Sequence, residues 1–360
     1  MVAVTVAITF PVDALVSFHY YGADADMAAL VINTGRVRVI GDSGAFSALT
    51  QGAHIDLDAY ATWVHRWREH LYWAASLDVI GDPVASYRNW KTLRDRHQLA
   101  TVPTLHAGAD TSWLDAYAGE GVDFVGLGGM AGIGQAPRAY RWAVGMFRHA
   151  RANHPGVRFH LWGVTNRTFL DSLPAYSADS SGAIGQAYRY GSLRLFDPAS
   201  GKHLSVMLRG RNVYRAGSLL RRVYGVDPAE IETSHSGNRV TLVQIAVAVT
   251  QQYALWLQRR HGHVSAPSWG VRHGDRCGQV ATADGPLVHV VAGTGHKQSQ
   301  GQDIHAAVDG PRVHLVDASQ DQVGRGLNLR EVTGATVRTG PVGVRKATGP
   351  RAAAGKRRKT

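Results

Sequence analysis

The chain has 360 residues, 44% hydrophobic and 18% charged, a composition that excludes a disordered polymer and supplies a substantial core. Its single cysteine, Cys277, excludes an intrachain disulfide and a Cys-rich zinc site. The formal net charge of +12 points to a polyanionic partner.

The N-terminal segment lacks a basic n-region and is interrupted by Pro11 and Asp13. No signal peptide is read there, and a cytoplasmic location is expected. Short apolar runs then alternate with amphipathic stretches. Ala14–Tyr20 and Val37–Gly41 are the first strand candidates, the second running into Asp42-Ser43-Gly44-Ala45-Phe46. Tyr60, Trp63, Val64, Trp67 and Leu71 form a helical stripe that Asp56 or Asp58 can cap. A third strand, Ala74–Val79, carries Asp78, and Tyr87 and Trp90 open a second stripe. Ala100–Leu105 runs into His106, and Trp113, Leu114 and Tyr117 mark a helix after Asp110 or Thr111. Val122–Leu127 runs into Gly128-Gly129. Trp142, Ala143, Met146, Phe147 and Ala150 form a further stripe that ends at His154-Pro155-Gly156. Val157–Trp162 and Ala175–Ala178 follow, the latter running into Asp179. An eighth strand is sought near Leu193–Phe196 or Leu204–Leu208.

Repeated β-α units predict a parallel sheet with right-handed crossovers. The expected fold is α/β, a TIM-type (β/α)8 barrel over residues 1–230. A mixed extension is expected over 231–335, opening with a long helix from about 240 to 260. The apolar run Leu242–Leu257 contains Gln244, Thr250, Gln251 and Gln252, which favours a buried helix over a membrane span. Residues 336–360 read as a basic, disordered tail; from Arg325 onward Glu331 is the only acid.

Asp42, Asp78 and Asp179 each stand at or near the end of a strand candidate. Singly, each reads as a helix cap or loop residue. In an α/β barrel, however, strand carboxyl ends converge on one site, and a cluster of three acids there is costly without a function. Two of them can divide glycosidic-bond chemistry, one as nucleophile and one as proton carrier. Gly128-Gly129 can lie flat on a planar ring, offer amides to its polar edge, or simply form a turn. His106 can bond a base edge or carry a proton. His160, inside an apolar run, reads as a satisfied core histidine. His261, His263, His273 and Cys277 depart from zinc-site spacing, so no metal is assigned.

The motif Asp42-Ser43-Gly44-Ala45-Phe46 resembles the Asp-Ser-Gly-Gly-Phe motif of queuine/archaeosine tRNA-guanine transglycosylases. Gly126-Leu127-Gly128-Gly129-Met130-Ala131-Gly132 resembles their Gly-Gly-Leu segment, and Trp162-Gly163-Val164 their Met-Gly-Val segment. Asp179 falls where that family carries its nucleophilic aspartate. The ordered set covers about residues 14–225. Ser177-Ala178-Asp179-Ser180 is similar to the Ser-x-Asp-Ser of the phage and bacterial branch, the DpdA-type DNA guanine transglycosylases.

The resemblance implies a (β/α)8 barrel that exchanges guanine in DNA for a 7-deazaguanine such as preQ0. It implies no cofactor, and as partners DNA and the deazaguanine, with no membrane. For a phage-encoded chain the compartment is the host cytoplasm. Asp179 is then the nucleophile at the sugar C1′, and Asp42 moves the proton between the two bases. Asp78 accepts from the base N–H edge, Gly128 and Gly129 bind its carbonyl edge, and Phe46 stacks on it. Ser43 and His106 complete the substrate contacts. Three features depart from the family: a single cysteine, which cannot build the tRNA enzymes' zinc site, His106 in place of a base-reading glutamine, and Gly182 where a bulky residue is common. The alternatives are a tRNA-guanine transglycosylase, a base or nucleoside glycosidase, and a non-catalytic nucleic-acid-binding protein.

Overall fold

The computed structural model describes residues 6–9, 11–23, 27, 37–130, 136–164, 166–231, 238–262, 264–272 and 287–292. Eight strands form one parallel sheet: β1 (Val12–Ser17), β2 (Val37–Asp42), β3 (Leu71–Ala74), β4 (Thr104–His106), β5 (Phe124–Gly128), β6 (Arg158–Leu161), β7 (Ser177–Asp179) and β10 (Leu287–Ala292). Their order is β3-β2-β1-β10-β7-β6-β5-β4. The backbones beyond the two outer strands also meet: Val102 N–H donates to Ala74 O, and Ser76 N–H to Val102 O, each at 2.8 Å. Ala75 and Val102 form a parallel bridge there. The expected barrel thus holds at the level of a mixed α/β fold built on a parallel sheet.

The eighth strand of this sheet is not where it was sought. Ser192–Asp197 (β8) and Lys202–Met207 (β9) pair with each other as an antiparallel ribbon outside the sheet. Instead β10 lies between β1 and β7, with Ala14 opposite Val290 and Asp179 opposite His289. The segment expected to be a separate extension therefore contributes to the sheet. The tail over 336–360 lies outside the described residues.

Period two sorts the sheet's side chains. On β2, Val39 packs outward against Tyr60, Trp63, Val64 and Trp67 of the helix Leu57–Trp67. Its neighbour Ile40 joins Leu15, Phe124 and Tyr176 in the cluster on the other face. Asp56 caps that helix, accepting from Ala59 N–H at 2.7 Å. Leu71 does not continue its stripe but opens β3, which lies N-terminal to the expected third strand. A bulge explains the offset. Val39 pairs with Leu71 and Ile40 with Trp73, so Tyr72 is an extra residue. Both Tyr72 and Trp73 consequently join the inner cluster.

Tyr72 shares a 2.8 Å hydroxyl–hydroxyl hydrogen bond with Tyr176, and the Arg38 guanidinium stacks on its ring at 4.3 Å. Arg38 is forked onto Asp13, with Nη2 donating to Oδ2 at 2.8 Å. This pairing answers two buried charges with each other.

The helices Pro83–Asp95, Ser112–Gly119 and Ala136–Asn153 connect successive strands β3 to β6. Trp90, Leu114, Tyr117, Ala143 and Met146 are buried in one core cluster with Val125 and Leu127 of β5. The long helix Arg239–His261 matches its expected span within a residue at each end. Its length and composition would suffice to cross a membrane, yet it buries Leu242, Val243, Ile245 and Leu257 in that same cluster.

Candidate active site

Asp42 is the last residue of β2, in step with the inward-facing Ile40. Its Oδ2 accepts from Gly44 N–H at 3.1 Å. Gly44 has φ +82° and a Cβ there would overlap Ser17 Oγ and lie 2.6 Å from His19 Cβ, so the turn that presents Asp42 admits only glycine. Ser43 is fully buried, and its Oγ accepts from Ala45 N–H at 3.4 Å. Phe46, in the first turn of the helix Ala45–Thr50, is 66% exposed. Its ring is available to a ligand because the core does not use it.

Burial pushes the Asp42 carboxyl up to about 7, with further upward pushes from the charges of Asp78 and Asp179, against lowering bonds from Gly44 and Ser43 N–H. The charges of Asp78, past the end of β3, and of Asp179 therefore both act on Asp42. Asp42 can hold a proton near neutrality, which an isolated aspartate does not.

Asp179 ends β7 and is 5% exposed. Its Oδ1 accepts from Gly163 N–H at 2.9 Å and pairs with His160 Nε2 at 3.0 Å. Nδ1 of the same imidazole lies 2.8 Å from Ser177 Oγ. Asp179 can only accept, so the neutral ring donates from Nε2 and Nδ1 accepts from the Ser177 hydroxyl, which steadies the ring without choosing its tautomer. His160 is completely buried between Trp162 and Trp73, whose ring centroids lie 4.2 and 5.1 Å away. The carboxylate thus has a fixed orientation, and among the described residues both of its hydrogen bonds fall on Oδ1.

Asp78 lies four residues past the end of β3 and pairs through Oδ2 with His106 Nε2 at 2.9 Å. The pair is mostly buried, with side chains 14% and 16% exposed. A Cβ on Gly128 would lie 3.2 Å from both the His106 ring and Thr104 Cγ2. Gly128 thus leaves a bare backbone wall beside the pair. Its carbonyl is already taken by Ala107 N–H at 2.9 Å. Gly129 has φ +68° and forms the following turn.

Gly126, two positions earlier on the same face, makes room for Trp162. A methyl group there would overlap Trp162 Nε1, which donates to Thr104 Oγ1 at 3.1 Å. Gly126→Ala is expected to displace the indole and destabilise the fold by roughly 1–3 kcal/mol. A denaturant midpoint equal to wild type would refute this close packing.

Every expected site residue falls at the carboxyl end of β2, β4, β5 or β7, or just past β3. Asp42, Asp78 and Asp179 come together, His106 joins Asp78, and Phe46 stands exposed at the rim. His160 is the buried, satisfied histidine read from the sequence, and one of its partners is Asp179. The available signal was parity: His160 and Trp162 alternate with Phe159 and Leu161, which pack in the outer cluster. Of the residues set aside as a possible metal cluster, His261 bonds Leu170 O at 2.6 Å. His263, His273 and Cys277 lie outside the described residues. Comparison with protein-family models, with curated proteins and with solved structures finds no match to this chain.

Proposed function

We propose that the chain is a DNA guanine transglycosylase that exchanges guanine for a 7-deazaguanine through a covalent glycosyl intermediate on Asp179. The observation that carries this reading is the placement of Asp42 within reach of the charges of Asp78 and Asp179, its carboxyl pushed to about 7 while Asp179 is hydrogen-bonded in place. In this reading the eight strands form a (β/α)8 barrel, the Ala75–Val102 bridge joining the outer strands. The site then opens at the strand carboxyl ends, where such barrels do their chemistry.

An oxygen of Asp179 attacks the sugar C1′, and the bond from C1′ to the base nitrogen breaks. The departing nitrogen takes its electrons and receives the proton of Asp42. The deazaguanine then enters and gives its ring N–H proton to Asp42. Its nitrogen attacks C1′, and Asp179 leaves as a carboxylate. Protons and charges balance over the two displacements, and the enzyme returns to its starting state. Asp78, oriented by His106, accepts from the base N–H donors. Phe46 covers the base face. A guanine paired in a duplex must be flipped out or be met unpaired, and the basic balance of the chain favours a phosphate-bearing substrate.

A specific observation also favours a base glycosidase: a protonated Asp42 beside a fixed Asp179 suits hydrolysis equally well. One experiment separates these readings. The protein is incubated with guanine-labelled duplex DNA, and with guanine-labelled tRNA in parallel, with and without preQ0. Label loss from DNA that requires preQ0, with preQ0 incorporated, is the expected result. Loss from tRNA alone assigns the RNA substrate, and base release without preQ0 assigns a glycosidase. Retention of label on both nucleic acids would overturn the reading.

A further inference from the structure

A second group of chemically able side chains lies away from the strand-end acids, in the outer helical layer. Asp115 stands on the helix Ser112–Gly119, His149 on the last turns of Ala136–Asn153, and His154 just beyond that helix. Nε2 of each histidine lies 2.6 Å from the same oxygen, Asp115 Oδ1. One ligand atom from each residue lies within 4.8 Å of the other two. The backbone holds His154 in place: its N–H donates to Ala150 O at 2.7 Å, and Val157 N–H donates to His154 O at 2.9 Å.

An ordinary ion pair would account for either histidine alone. Two imidazoles aimed at a single oxygen, while the other carboxylate oxygen takes neither, describe three donors bounding one small volume. Donor atoms around a tetrahedral zinc ion stand about 3.3 Å apart, given bonds of roughly 2.0–2.1 Å. Opening the group from 2.6 Å requires only a small turn of the Asp115 side chain, which is 45% exposed. The histidines are 24% and 26% exposed, open enough for an ion to enter and sheltered enough to have fixed rings.

Metal binding resets the proton on the His149 ring. A ligating Nε2 needs its lone pair, which puts the proton on Nδ1. Nδ1 of His149 lies 3.3 Å from the Asn153 side-chain amide. The same amide nitrogen donates to His149 O at 3.1 Å, so the amide keeps its orientation, and loading Nε2 with a metal moves the ring proton to Nδ1 at the expense of the long Asn153 contact. The set of two imidazoles and one carboxylate is borderline in softness and suits zinc, cobalt or nickel over magnesium or calcium.

We propose that Asp115, His149 and His154 bind one divalent transition-metal ion of the zinc class, bracing the helix Ser112–Gly119 against the end of Ala136–Asn153. Water completes the coordination. The site is independent of the base-exchange reading, since it shares no residue with it.

The test uses untagged full-length protein stripped with a chelator, then titrated with Zn2+ and followed by calorimetry and thermal unfolding. Wild type is expected to take up one tight equivalent and to melt at a higher temperature when loaded. In the double variant His149→Ala/His154→Ala, affinity for that equivalent should fall by at least tenfold and the melting shift should vanish. Cys277→Ser, a control for thiolate binding elsewhere, should leave both unchanged. Circular dichroism of the metal-free proteins establishes that the double variant folds; should it not, Asp115→Asn, which keeps shape and hydrogen bonding, takes its place with the same expected loss. Failure of wild type to bind Zn2+, or equal binding by the variants, would overturn the site.

Discussion

Asp179→Asn is expected to lower base exchange by about 10⁴-fold or more while DNA affinity stays near that of wild type. The substitution retains an acceptor oxygen of the same shape, so the bonds from Gly163 N–H and His160 Nε2, at 2.9 and 3.0 Å, can persist. What disappears is the anionic oxygen that attacks C1′. A purely structural Asp179 would therefore tolerate Asn, and a nucleophile would not. Asp179→Ala differs in a useful way. It also strips His160, which is fully buried, of its carboxylate partner, adding a stability loss of roughly 1–3 kcal/mol. The direct readout is a protein–DNA adduct that survives denaturation, present in wild type without deazaguanine and absent in both variants. Full exchange by the Asn variant would remove Asp179 from the reaction.

Asp42→Asn is expected to stabilise the fold at pH 8 and to cripple turnover. The folded-state pKa of Asp42 is raised from 3.8 to about 7, first by burial and then by Asp78 and Asp179. For a carboxyl raised in this way, the fold prefers the protonated form. Its contribution is fully present below pH 3.8 and is lost as the pH climbs to about 7. Above that, the ionised Asp42 opposes folding by about 4 kcal/mol at most. Asparagine cannot ionise and escapes this cost. The variant should melt at least about 5 °C above wild type at pH 8, the gap closing toward pH 4. Exchange should fall by about 10²–10⁴-fold, because no other group is assigned to carry the proton between bases. Wild-type exchange should peak near neutrality, since Asp42 must be protonated to release guanine and ionised to accept the proton of the incoming base. Equal melting temperatures at both pH values would mean that the Asp42 carboxyl is not held above its ordinary range.

The sequence made the acids and most of the helices legible because their signals are local. Asp42 and Asp179 each follow an apolar run too short for a helix, and the Trp-rich stripes repeat at helical spacing. The position of β3 was not legible. A bulge at Tyr72 breaks the period of two, and Leu71 reads as the end of the preceding stripe when it opens the strand that carries Tyr72 and Trp73. Leu287–Ala292 was missed for another reason: a Val-rich hexapeptide gives no sign of its partners, which here are β1 and β7 from the far end of the chain. The role of His160 was hidden by composition, since a lone polar residue among Phe159, Leu161 and Trp162 looks like a packing detail until its parity places it beside Asp179.

The position of β10 also orders events in time. During synthesis β1 to β7 leave the ribosome first, yet β1 and β7 have no neighbour on their inner edges until Leu287–Ala292 has been made. In the interval the nascent chain carries two unpaired parallel edges, surfaces that readily recruit strands from other chains. The antiparallel ribbon β8–β9 and the long helix Arg239–His261, both encoded before β10, can form within that interval by shorter-range contacts. Completion of the sheet is therefore a late, long-range event, and a translation product that stops before residue 287 lacks the strand that lies between β1 and β7.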